Sequence, residues 1–63
     1  ISPIAYLLRY RASVSAQLLI DTDRSIADIC FEVGFNSQSH YGQIFKRYFL
    51  CTPREYRERM RRL

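Results

Sequence analysis

The sequence predicts an all-α fold: four short helices containing one helix-turn-helix. Three observations predict it. Apolar residues recur at three- and four-residue spacing, and no alternating run of strand length interrupts them. Gly and Pro number only two each, and both prolines follow a hydroxyl residue, the order found where helices begin. Ser2, Ser25, Thr52 and the polar pair Asn36-Ser37 punctuate the chain at spacings that fit short helices.

The punctuation divides the chain into helices over residues 3–20, 26–33, 37–49 and 53–61. The first starts at Ser2-Pro3 and carries Ile4, Leu7, Leu8, Val14, Leu18 and Leu19 as its apolar residues, with Arg9 and Arg11 on the wet side. The second starts at Ser25, has Asp28 at the third helical position, and shows Ile26, Ile29, Cys30 and Val33 as an i, i+3, i+4, i+7 stripe. Gly34 stops it. The third shares Tyr41, Ile44, Phe45, Tyr48 and Phe49 on one face, and the fourth opens with the capping box Thr52-Pro53-Arg54-Glu55 and keeps Tyr56 and Met60 for the core. Connections this short force neighbouring helices together.

Size and composition restrict the function classes. A chain of 63 residues is one domain at most, and it hides only about 60% of its unfolded surface, so its core is thin. The net charge is +4, and the chain is 48% hydrophobic with nine aromatics (four Phe, five Tyr), which excludes a disordered tail. No apolar run approaches the length of a membrane span. Cys30 and Cys51 lack metal or disulfide-scaffold spacing and read as free buried thiols of a reducing, cytoplasmic compartment. A single His40 cannot complete a zinc set, and no nucleophile-base pair, paired carboxylates or phosphate-cradling glycine loop suggests an enzyme. No cofactor or metal is expected.

Residues 25–49 carry the functional signal. A capped short helix ends at Gly34, and a second begins almost at once, which is a helix-turn-helix layout. Cys30 is small enough to let the two helices approach, Gly34 permits a tight reversal with positive φ, and Phe35 turns inward as a plug. At 100° per residue, Tyr41, Tyr48 and Phe49 fall within about 60° of Phe45, and Ile44 lies near 100° on the flank. Ser39, His40, Gln43 and Arg47 fall opposite, with Lys46 at the edge and Asn36 just ahead. Neutral donors and acceptors early in the helix and cations late in it match what a major-groove recognition helix presents to base edges and to phosphates. Charge follows the same plan. Residues 21–33 hold four acids against Arg24, while residues 54–63 hold five Arg against two Glu.

Ser2-Pro3, Tyr6-Leu7, Arg11, Leu18-Leu19, Ser25-Ile26-Ala27-Asp28-Ile29, Val33-Gly34-Phe35, Ser39, Tyr41, Phe45-Lys46 and Thr52-Pro53-Arg54-Glu55-Tyr56-Arg57, in that order, resemble the AraC/XylS transcriptional regulators over nearly the whole chain. Those regulators carry two helix-turn-helix units joined by a long helix. The resemblance covers the joining helix (1–20), the second unit (25–49) and a C-terminal helix (52–62), implying a homeodomain-like three-helix unit preceded by a long joining helix, so the sequence resembles the C-terminal part of such a domain. It implies sequence-specific binding of double-stranded DNA, with base contacts from Gln38, Ser39, His40 and Gln43 and phosphate contacts from Lys46 and Arg47; Ser37 and Arg54 join the phosphate contacts, Arg54 because the start of its helix also offers free N–H groups to a phosphate. It further implies RNA polymerase as a partner and a parent protein that dimerises through a preceding domain. The chain departs from the pattern at Gln43, where many relatives carry Arg, so adenine rather than guanine is the base it can pair. Gly42, Ala12 and Ser15 are further departures. The residues alone also fit a helical protein-interaction module without DNA binding. The cluster Arg54, Arg57, Arg59, Arg61 and Arg62 reads equally as a phosphate clamp or as a basic tail.

Overall fold

Ser2 opens the first helix by accepting from the Ala5 amide at 3.1 Å, and Pro3 takes the first helical position, where no amide proton is needed. From there the computed structural model, which describes residues 1–62, runs through α1 (Pro3–Asp21), α2 (Ile26–Glu32), α3 (Gln38–Phe49) and α4 (Pro53–Arg61). Ser25 caps α2 and Ser37 caps α3, accepting from the amides of Asp28 and His40 at 3.0 and 3.1 Å. At α4 the capping box is complete. The Glu55 amide donates to Thr52 Oγ1 at 3.1 Å, and the Thr52 amide donates to Glu55 Oε1 at 2.8 Å. All four expected helices form, and none of their ends moves by more than a residue.

α2 and α3 meet across the turn Gly34–Ser37, and α1 lies against both of them and against α4, in a body of 35 × 20 × 18 Å. Gly34 adopts φ 104°, as the tight reversal requires, and Phe35 is buried as the plug. Cys30 is fully buried and gives its weak S–H bond to the Ser37 carbonyl oxygen at 3.5 Å. Burial also pushes its thiol above the ordinary cysteine value, which keeps it inert.

The centre of the core is aromatic. Phe45 stacks on Phe49 at 4.5 Å between centroids and meets Tyr56 and Tyr41 edge-on at 5.4 and 5.8 Å. Such pairs contribute about 0.5–1.5 kcal/mol each beyond their buried area. Around them lie Ile29, Cys30, Phe35, Ile44 and Leu19, with Ile26, Val33, Tyr48 and Tyr56 half-buried. The Tyr41 hydroxyl ends beside Ser15, whose own proton goes to the Ala12 carbonyl oxygen 2.6 Å away, and it finds no partner of good geometry among the described residues. Desolvation raises its phenol above the usual value, with the Ser15 contact opposing.

α1 departs from expectation. Ile4, Leu7 and Val14 are exposed, Leu8 and Leu18 only partly covered, and of the predicted stripe Leu19 alone is fully buried. The buried side of α1 is instead Ala12, Ser15, Ala16 and Leu19. The physical reason is crowding: three helices cross this one, and small side chains let their axes approach. A second surprise closes α3. Its C-terminal cap is Leu50 in the left-handed region at φ 63°, a place usually given to glycine, and the side chain is 83% exposed. That conformation costs a leucine about 1–2 kcal/mol.

Candidate nucleic-acid interface

α3 presents its polar side to solvent because its apolar side is so completely used. Ser39, His40, Gln43 and Arg47 are exposed on the side away from Phe45, and Lys46 is exposed at its edge. Ser37 sits at the head of the helix, its hydroxyl oxygen already accepting the His40 amide, which leaves its proton to donate. Gln38 is exposed too, but at 100° per residue it lies within about 20° of the Phe45 direction, one turn ahead of the core and off the face formed by the others. His40 is braced from behind, its ring meeting Phe35 edge-on at 5.6 Å. Lys46 and Arg47 occupy the last turn, where cations also suit the negative end of the helix dipole.

Arg54 belongs to a different part of the surface. It lines a shallow groove with Ser25, Ile26, Arg57 and Glu58, so the fold gathers it with the start of α2 rather than with α3. Two patches result, one on the outer face of α3 and one where α4 begins beside α2. Glu55, next to Arg54 in α4, has its carboxylate held below its ordinary range first by the Thr52 backbone amide and the Thr52 side chain, with Lys46 and Arg59 as nearby positive charges.

The C-terminal arginines divide into two kinds. Arg57 donates through Nε to the Leu19 carbonyl oxygen at 3.0 Å and through a terminal nitrogen to that of Thr22 at 3.1 Å. Arg61 also donates to the Thr22 carbonyl and pairs with Asp23 at 3.0 Å. These two close the end of α1, satisfying carbonyls that a helix terminus leaves open, and so are occupied within the fold. Arg54, Arg59 and Arg62 remain exposed. The i, i+4 spacing of Arg57 and Arg61 could have shown that they act together, but not on what.

Arg11 is the other residue the sequence misplaced. It is half-buried rather than on the wet side, and a terminal nitrogen donates to the Gly34 carbonyl oxygen at 3.3 Å. Arg9 does face solvent, over the Tyr6 ring at 5.9 Å. Among the described residues no three His, Cys, Asp or Glu converge as a metal site, and no helix is long and apolar enough to cross a membrane.

Comparison with known proteins matches residues 1–59 to the helix-turn-helix domain family. The chain is 43% identical over 58 residues to the HTH-type transcriptional regulator ExsA of Pseudomonas aeruginosa, covering 92% of this chain and 21% of that protein. It is 44% identical over 57 residues to the virulence regulon transcriptional activator VirF of Yersinia enterocolitica, covering 90% and 21%. Against the HTH-type transcriptional activator RhaS of an Enterobacter species it is 38% identical over 58 residues, again covering 92% and 21%. The chain thus spans about a fifth of the length of these curated relatives. No solved structure matches it.

Proposed function

The chain belongs to the AraC/XylS family of helix-turn-helix transcriptional regulators, and from that premise we propose that it is a reading unit for duplex DNA, with α3 in the major groove. The observation that carries this reading is the division of α3: Tyr41, Ile44 and Phe45 are buried, while Ser39, His40, Gln43 and Arg47 are exposed on the opposite side, with Lys46 exposed at its edge. Ser39, His40 and Gln43 meet base edges, with Gln43 offering an amide that pairs with adenine. Gln38, turned off that face, reaches bases or backbone at the groove entrance. Lys46 and Arg47 meet phosphates on one side, and Arg54, with Ser37 as a hydroxyl donor, holds the backbone at the helix starts. The chain acts by binding, not by catalysis. On this reading, cytoplasmic action, RNA polymerase contacts and dimerisation belong to the longer parent protein.

Titration of labelled duplex at several salt concentrations tests the proposal. Three cations on three phosphates predict that log K falls against log salt with a slope of about −2.7. Lys46→Ala should make the slope shallower by about 0.9 and weaken all sequences alike. Gln43→Ala should instead change base preference at one position by about 1–3 kcal/mol. No binding at low salt refutes the reading, and identical effects of the two substitutions refute the division between bases and phosphates.

A second reading has its own observation. Ile4, Leu7, Tyr10 and Val14 of α1 and Phe31 of α2 are exposed apolar side chains. A helix apolar on so many sides is ordinarily covered on more than one of them. A protein contact through α1, in place of or beside DNA binding, is therefore the alternative. Tight self-association in solution together with failure to bind duplex would favour it over the first reading.

A further inference from the structure

The turn between α2 and α3 is held from outside the helix-turn-helix. Arg11 reaches from α1, 23 residues earlier in the chain, and donates to the Gly34 carbonyl oxygen at 3.3 Å. Its guanidinium also packs against the side of the glycine where a side chain would stand. A Cβ built on Gly34 would stand 3.0 Å from Arg11 Nε and 3.1 Å from Cζ, inside ordinary van der Waals contact. Gly34 is therefore required by its φ of 104°, and its missing side chain is what lets the guanidinium come this close. From this glycine the chain passes to Phe35, whose amide donates to the Cys30 carbonyl oxygen at 3.1 Å and whose ring meets both His40 and Tyr41 of α3. One contiguous path of packed groups thus runs from α1 through the turn to His40, on the outer face of α3.

We propose that Arg11 is a positioning residue for DNA recognition: its guanidinium fastens the Gly34 turn to α1 and thereby fixes how α3 presents His40 and its neighbours. The proposal rests on the DNA-reading function above. Its chemistry explains why a guanidinium stands here. A guanidinium holds five N–H donors in a rigid fork, so it can donate to the carbonyl while packed against the glycine, whereas an ammonium is a compact, strongly hydrated point charge. The side chain is committed to the turn, so it contributes orientation and not phosphate neutralisation.

Two substitutions and two measurements test this. Arg11→Met keeps the stem and removes the donor; Arg11→Lys keeps the charge and loses the plane. Amide hydrogen exchange needs no DNA. With Met, the Gly34 and Phe35 amides should exchange about tenfold faster, while the Tyr56 amide, bonded to the Thr52 carbonyl at 2.9 Å, keeps its protection. Lys should fall between. Unchanged turn amides, or equal acceleration at Tyr56, would overturn the proposal, the second by showing only general destabilisation. The DNA measurement uses a duplex selected by the unaltered chain from a randomised pool, against a scrambled duplex of the same length. Met should lower the preference for the selected duplex about tenfold at an unchanged salt slope. Equal loss on both duplexes with a shallower slope would make Arg11 a phosphate ligand and refute its positioning role. If the unaltered chain binds neither duplex, the DNA-reading function fails. With no DNA-reading face to position, the positioning role falls with it, and the exchange result then decides only whether Arg11 fastens the turn.

Discussion

α1 and α3 are both helices that help to build the core, yet they relate to their own sequences in opposite ways. α3 buries its large apolar side chains and exposes its polar ones, so its spacing alone orients it. α1 carries apolar residues around much of its circumference, and the structure buries its small ones against α3 and α4 while leaving Ile4 72% exposed. The difference teaches that periodicity orients a helix only when its faces differ in polarity. When they do not, the close approach of neighbours chooses, and small side chains win because they permit it.

The sharpest way to break that comparison is to truncate each helix at a large side chain. Phe45→Ala on α3 removes a fully buried ring in contact with three other aromatics and should cost about 3–5 kcal/mol. A chain of 63 residues has only about 3–9 kcal/mol in total, so thermal melting should show little folded protein at 37 °C. Ile4→Thr on α1 should instead change stability by less than about 0.5 kcal/mol. Similar losses from both would contradict the contrast.

Enlarging a small residue of α1 tests the same point from the other side. Ala16→Leu should destabilise by about 1–3 kcal/mol in chemical denaturation, because the buried position has no room for the added carbons. On α3, Gly42 has nothing within 4 Å of where a Cβ would stand. Gly42→Ala should therefore stabilise by about 0.8–1 kcal/mol through helix propensity alone. A loss of stability would mean that this side of α3 is packed.

The smallest effect is a pH dependence at α4. The Glu55 carboxyl is held below its ordinary value by its bonds to Thr52, so the stability it adds is present above the normal carboxylate range and is lost as acid protonates it. Glu55→Gln keeps a capping partner without a titrating group. The variant should lose less stability than the unaltered chain between about pH 5 and pH 3, measured as the melting temperature at each pH. Parallel curves would show that the box does not hold the carboxyl down.

Much of this was legible beforehand, for local reasons. A cap is an oxygen meeting an amide three residues later, so Ser2, Ser25, Ser37 and Thr52 announce helix starts within a few residues of chain. The exposed residues of α3 were readable because its buried face was unambiguous. Gln38 was harder, since position in the helix and angle around it disagree there. The targets of Arg11, Arg57 and Arg61 were not readable. Each donates to a backbone carbonyl 23 to 39 residues away, and a carbonyl leaves no mark in the sequence. Leu50 was equally silent, because a leucine gives no warning of a left-handed cap.

By itself, then, the sequence determined the four helices, the glycine turn, the aromatic core and the polar face of α3, all consequences of spacing along one segment. The tertiary structure alone decided which side of α1 meets its neighbours, which arginines are spent on the fold, and how α1 holds the turn before α3. The physical reason is range. Caps and stripes act within a turn or two of helix, whereas a guanidinium chooses among all the carbonyls that folding brings within its reach, and only the assembled chain says which those are.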